Sequence, residues 1–441
     1  MLIPRTRPTP LMKIPRTRKL IPWMLTLAGA ASVLAADLPP PEEFQANWPR
    51  FRGPGGNGVY AKGDVPLTCD IKTGANILWS AAVPAAGFSS PVVWGSRVFL
   101  SGGDEAKREV MCFDVQSGKL LWQRAVPKTA GSPDEKPEVP DQCGMAAATV
   151  ATDGVRVYAM FSNGELAAFN FSGEAVWSKH LGVPKNQYGH ATSLLTWQDR
   201  VIVQFDQGDL DDKLSKLYAF DGATGAVVWE KPRPAGASWA TPITLDAAGK
   251  SQIIALAVPW VIAYSAKDGA EIWRANCLDG EVTPSPIFAG GTLFVVSPAN
   301  NLRPIRPDGH GDVTKTHLGW MAEDGIPDVT SPVSNGELIF VITSNGMLTC
   351  YDAKNGRKQW EHDFDEQCGA SPSIVGGRLY LITKKGTLVV LETAREFAEL
   401  GRSSLGEQVA ASPAFVQGRI FVRGTRHLIC VATKNAAPAK P

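Results

Sequence analysis

No sign of charge predominates in this chain: 44 lysines and arginines stand against 43 acids in 441 residues, a formal net charge of +1. That balance excludes the basic excess of a general nucleic-acid binder. Long apolar runs are missing as well. The longest, residues 20–34, is shorter than the ~20 residues a membrane-spanning helix needs. The seven cysteines are scattered; no two are adjacent and none shows CxxC spacing, so a zinc site has no support. Neither a Gly-x-Ser-x-Gly elbow nor a His-Glu-x-x-His pair occurs, which removes two widespread hydrolase signatures. With 44% hydrophobic residues the chain can still bury a core, and wholesale disorder is excluded.

The N-terminus is read as an address. Residues 1–19 carry six basic side chains and no acid, an apolar stretch follows, and Ala35-Ala36 precede Asp37. This is the layout of a cleaved secretory signal peptide over 1–36, and Met12 would start a complete signal as well as Met1. Arg16 and Arg18 are separated by Thr17, so Sec export is expected rather than the twin-arginine route. Asp37 stands where a lipoprotein would place its lipidated cysteine, so no lipid anchor is expected. The mature chain would carry a net charge near −5 and lie in the periplasm or outside the cell. There an odd number of cysteines leaves at least one without an intramolecular partner.

What the sequence has in quantity is 13 tryptophans, 43 glycines and 33 prolines. Tryptophans recur at Trp79, Trp122, Trp177, Trp229, Trp273, Trp320 and Trp360, and Leu400 stands where an eighth would fall. Before several of them lies one phrase, as in Ala219-Phe220-Asp221 … Thr224-Gly225 … Trp229. A second ladder, Ser90-Pro91, Thr241-Pro242, Ser285-Pro286, Ser331-Pro332, Ser371-Pro372 and Ser412-Pro413, marks the start of each unit, with degenerate versions at Ala147-Ala148 and Thr192-Ser193. A period of ~40–50 residues, each unit holding several short alternating strands, signals propeller blades. The fold expected is all-β: an eight-bladed β-propeller of four-stranded antiparallel blades over 76–433. The eighth unit has only three strands, so strand 76–83 is expected to complete it and close the ring. Residues 37–75 read as an N-terminal extension and 434–441 as a disordered tail. The tryptophans are expected to wedge between blades as structural docking residues.

The Ala-x-Asp-x-x-Thr-Gly-x-x-x-Trp phrase resembles the tryptophan-docking repeat of quinoprotein alcohol dehydrogenases and BamB-type assembly proteins. With Trp48-Pro49-Arg50-Phe51-Arg52-Gly53-Pro54-Gly55-Gly56-Asn57-Gly58, Gly311–His317 and Arg426–Cys430, it is similar to the exported PQQ-like propellers of Planctomycetes and Verrucomicrobia. For an enzyme, the resemblance implies pyrrolo-quinoline quinone (PQQ) under a vicinal disulfide, beside a calcium held by Glu, Asn and Asp near a catalytic Asp. Adjacent cysteines are lacking, so no cofactor is firmly expected. For a BamB-like protein, it implies a non-catalytic scaffold docking envelope proteins.

Few residues suggest chemistry. Cys112, Cys350 and Cys430 fall on third strands where Ala219 or Ala263 sits in sister blades, and read as small buried residues. The acidic run Asp206–Asp212 fails the EF-hand pattern and reads as a solvated hairpin. Insertion 127–142 reads as a long loop near the channel mouth. Around that mouth Phe88, Tyr188, His190, Trp239 and Trp260 are the candidate ligand-binding residues, a polar-aromatic patch suited to a planar or sugar-like ligand. No catalytic residue and no metal ligand is assigned.

Overall fold

The computed structural model describes residues 38–433 apart from 62, 130–131, 133–136, 138 and 142. The expected signal peptide and tail lie outside the described residues, as does part of the 127–142 insertion. Eight sheets follow one another around a ring. In blade 1 the strands run from the channel outward as Val92–Trp94, Arg97–Gly103, Arg108–Asp114 and Leu120–Ala125, all antiparallel. The chain closes as the sequence suggested: Ile77–Ala82 pairs antiparallel with His427–Ala432 as the outer strand of blade 8.

The core lies between blades rather than in one centre. Phe99, Val110 and Cys112 of blade 1 pack on Val157, Ala159 and Phe169 of blade 2, and comparable clusters fill the other seams. Second and third strands are therefore apolar on both faces; Arg156–Met160 is buried at every position. The cysteines fit this packing. Cys112, Cys350 and Cys430 are buried opposite Trp122, Trp360 and Trp79, and burial pushes each thiol up to about 12. All seven cysteines are free.

Each regular outer strand carries a bulge just before its tryptophan, such as that between Ala219 and Phe220 opposite Trp229. A bulge re-aims a side chain, and here the indole leans onto the next blade. Trp177 donates its Nε1 hydrogen to Gly222 O at 2.9 Å and lies over Gly225, whose φ of +69° and 2.7 Å approach leave no room for a Cβ. Asp221 holds that turn by accepting from the Thr224 amide and hydroxyl. Trp79, Trp122, Trp320 and Trp360 likewise donate to a carbonyl of the following blade.

Three departures from the repeat have physical causes. Blade 5 has no regular outer strand, and its chain makes an excursion instead. Gly311–Asp312 adds as a fifth, parallel strand to blade 4 and covers Trp273, which donates to Gln252 within its own blade. In blade 7 the tryptophan position is Gly401, not Leu400, because the turn before the outer strand is one residue longer: Gly401 lies nine residues after Glu392, where Trp360 lies eight after Asp352. A side chain at Gly401 would strike Leu67 O at 2.4 Å, so segment 67–68 covers the place an indole fills elsewhere. The docking turn of blade 8 is supplied by Asp70-Ile71-Lys72-Thr73-Gly74, where Asp70 Oδ1 accepts from the amides of Lys72 and Thr73. The extension is thus built into the ring.

Candidate functional site: the central channel and its mouth

The eight first strands line the channel. At their starts a relay of hydroxyls links blades 1 to 8 in turn: Ser90 N donates to Thr149 Oγ1, Thr149 N to Ser193 Oγ, and it continues through Thr241, Ser285, Ser331 and Ser371 to Ser412 at 2.9–3.0 Å. This explains the second ladder in the sequence. In blade 2 the member is Thr149, one place beyond the Ala147-Ala148 pair read as its marker.

From the opposite face, the segment 47–60 enters the channel. Trp48 pairs with Val93 of blade 1, and Pro49 O accepts from Thr152 N of blade 2. Arg50 reaches Thr244 of blade 4, Asn57 reaches Phe288 O of blade 5, and Arg52 donates to Pro332 O of blade 6 at 2.6 Å. Val59–Tyr60 adds parallel to Ser373–Val375 of blade 7, and Trp48 packs edge-on against Phe415 of blade 8. The Trp48–Gly58 motif that carries the family resemblance is therefore a plug in the channel, a role that nothing periodic in the sequence announces.

At the other mouth the structure brings together part of the candidate patch. Tyr188 and Trp239 meet edge to face at 5.0 Å, and Trp239 Nε1 donates to Asn186 Oδ1 at 2.9 Å. Glu281 joins them, accepting from the Tyr188 hydroxyl and Gln187 Nε2. His190 is not displayed with them. It is 3% exposed, stacked on Phe205 at 5.6 Å, and burial pulls its pKa down to about 4. Trp260 sits under the Arg274 guanidinium at 5.0 Å on the outer part of blade 4. Phe88 is half-buried beside Gly144. The acidic run also divides: Asp206 turns inward to a fully buried pair with Arg233 at 2.7 Å, while Asp212 pairs with Lys185 on the surface. The described parts of the 127–142 insertion touch blade 2 through Thr129 and Ser178, and Val139 lies against Gly189.

A cavity of about 710 Å³ that the sequence did not suggest opens between blades 3 and 4 at the plug's face, with Trp197, Arg200, Lys250, Lys267 and His310 in its wall. Arg200 lies over the Trp197 ring and donates to the carbonyl of Ala266. The signal was there as Trp197, a tryptophan outside the docking series.

The calcium-bound quinone implied by the resemblance finds a poor match in these residues. The channel axis is taken by the plug, the thiols stand apart, and Glu281 is engaged by its neighbours. Among the described residues no three His, Cys, Asp or Glu side chains gather as a metal site.

The belt, the docking turns and the composite blade define an eight-bladed propeller of PQQ-type repeats. A family model described as outer membrane protein assembly factor BamB matches residues 45–209, 213–314 and 314–396, and the chain belongs to that family. It is 26% identical to the assembly factor BamB of Burkholderia pseudomallei (strain K96243) over 309 residues, covering 66% of this chain and 71% of that one. A tetrathionate hydrolase of Acidithiobacillus ferrooxidans is 23% identical over 368 residues, covering 73% and 68%. In fold, the chain matches BamB from Moraxella catarrhalis with a TM-score of 0.61 at 16% identity, over 82% of this chain and 98% of that one. It also matches a europium-containing methanol dehydrogenase with a TM-score of 0.68 at 13% identity, over 88% and 91%. At these identities the structural likenesses speak for the fold alone. No described helix is long and apolar enough to cross a membrane.

Proposed function

We propose that this protein is an exported, non-catalytic propeller that binds envelope proteins through its loop face, as a BamB-like scaffold. The observation that carries this reading is the filled channel. The axis, where a small molecule would be enclosed, is occupied by the chain's own residues 47–60, which leaves the loop faces and blade edges for recognition. Family membership supports it, since the matching model and the Burkholderia pseudomallei relative are described as outer membrane protein assembly factors. At the mouth, Tyr188 and Trp239 form a rigid aromatic pair with a carboxylate beside it, the kind of anchor protein interfaces favour. Periplasmic residence follows from the signal-peptide reading. The second reading, a PQQ-dependent oxidoreductase, draws on the fold shared with methanol dehydrogenase.

Calorimetry separates the two. Mature protein beginning at Asp37 is titrated with PQQ and calcium. The scaffold reading expects no heat and no quinone absorbance. Stoichiometric calcium-dependent binding at micromolar affinity or tighter would overturn it, and weakening of that binding by Trp239→Ala would place the quinone at the mouth.

A further inference from the structure

We propose that the cavity at Trp197 docks an acidic peptide segment of a partner protein through one aromatic side chain. The first strands of two blades end in tryptophan and turn back in the same register: Trp94 pairs with Arg97 in blade 1, and Trp197 with Arg200 in blade 3. Their surroundings differ. Trp94 is covered by the chain's own N-terminal segment. Phe44 of the helix Pro41–Ala46 meets its indole edge to face at 4.8 Å, and Pro39 lies with it over Gly154 in the first hairpin of blade 2. Trp94 is left 7% exposed. Among the described residues no such segment covers Trp197. It is half-buried, and Gly249, in the first hairpin of the following blade, has nothing within 4 Å of a Cβ position. Both line the cavity of about 710 Å³.

The wall carries positive charge that the fold does not use. Lys250, Lys267 and His310 are exposed, and among the described residues none has a carboxylate within ion-pair distance. The two acids of the wall are engaged. Glu271 gives both carboxylate oxygens to Arg274, and Asp268 accepts from the Ala270 amide in its own turn. An occupant that matches this wall brings an apolar ring to the Trp197 side and carboxylates to Lys250 and Lys267. Exposed ion pairs contribute little each, so the ring supplies most of the affinity, and the charges set the salt dependence and the choice of partner. Pockets of about 300–1,000 Å³ take drug-sized ligands, which leaves room here for an aromatic side chain with its flanking residues. The cover of Trp94 is a template for such a segment, since Glu42 and Glu43 stand immediately before Phe44. The inference deepens the scaffold reading and rests on it for the occupant being a protein.

The probe is a fluorescein-labelled peptide with the sequence of residues 38–47, titrated with the mature protein and followed by anisotropy at low and high salt. Binding should saturate, with a Kd tighter than about 1 mM. It should weaken about tenfold or more when the peptide carries Phe44→Ala or the protein carries Trp197→Ala. If Trp197→Ala does not fold, Lys250→Glu/Lys267→Glu decides, because both positions are exposed. That variant should weaken binding several-fold at low salt and less at high salt, and a Glu42→Gln/Glu43→Gln peptide should lose the same salt-dependent part. A peptide that does not bind overturns the proposal. So does binding that Trp197→Ala and the charge reversal leave intact, which would place the peptide elsewhere. The scaffold reading fails separately, through stoichiometric PQQ binding in the calorimetry, and it survives if Trp239→Ala at the other mouth is what releases the peptide.

Discussion

Arg423 is the side chain that most directly fastens the end of the ring to its beginning, and Arg423→Met tests that. Its guanidinium is buried at 2% exposure in the second strand of blade 8. It donates to Ser89 O, Ser89 Oγ and Ser101 O at 2.6–3.2 Å and to Ala85 O at 3.1 Å, all from blade 1 or its approach. Methionine keeps the apolar stem and removes every donor. Hydrogen bonds from a charged group contribute about 1.5–3 kcal/mol each, and stranded buried acceptors cost about 1–3 kcal/mol. Against this, Arg423 has no carboxylate partner among the described residues, and burial lowers its pKa to about 9, so its removal relieves a desolvation cost. Ser101 O also keeps its bond from Ser89 Oγ. The net loss should be about 2–4 kcal/mol. Urea denaturation gives the magnitude, and hydrogen exchange gives the place. Amides of 77–82 and 427–432 should lose protection before those of blades 3 to 5. As a control, Arg378→Ala, whose partner Asp64 is 96% exposed, should change stability by less than about 1 kcal/mol. An Arg423→Met protein within about 0.5 kcal/mol of wild type, or one whose exchange rises evenly around the ring, would refute the reasoning.

Two further outcomes follow from the geometry. His190 takes a proton in the unfolded chain near pH 6.5 but only near 4 in the fold, so the unfolded state binds more protons between those values. Stability is therefore full above about pH 6.5 and falls as pH drops toward 4, by about 2–3 kcal/mol; His190→Phe should flatten that part of the pH profile, and an unchanged slope would discount the buried histidine. Gly225→Ala places a methyl against the Trp177 indole at a positive φ and should cost about 2–4 kcal/mol, whereas Gly74→Ala, at φ +74° with nothing within 4 Å, should cost about 1 kcal/mol. Equal losses in thermal or urea unfolding would mean that backbone strain, not indole packing, sets the value.

The repeat was legible because tryptophan spacing and the Asp-x-x-Thr-Gly turn reflect contacts each blade must make with the next. The composite blade was legible for the same reason, since strand 76–83 carries its own tryptophan and the last unit lacks a strand. Legibility failed where a position is unique. Residues 47–60 occur once, with no period to betray that they thread the channel. Asp70–Gly74 is a docking turn with one extra residue before Trp79, which hid the match. Leu400 was read for Gly401 because the turn before that outer strand holds one extra residue, so the constant spacing of the other blades points one place too early. His190 was read as displayed at the mouth, but its burial depends on Phe205, a residue of the neighbouring strand that sequence proximity does not reveal.

The N-terminal segment also bears on what kind of recognition the molecule can perform. A ring of eight separate sheets needs closure, and here residues 47–83 supply it at several levels. The plug ties the first strands of blades 1, 2 and 4 to 8 along the axis, segment 67–68 replaces the missing indole of blade 7, Asp70–Gly74 gives blade 8 its turn, and Ile77–Ala82 completes its sheet. This chain fills the axis of its ring with its own backbone. The places that remain for a partner are outside: the Tyr188–Trp239–Glu281 cluster at one mouth and the Trp197 cavity on the opposite face. They lie at opposite ends of the first strands, so occupation of one leaves the other open, which is what the proposed scaffold reading needs.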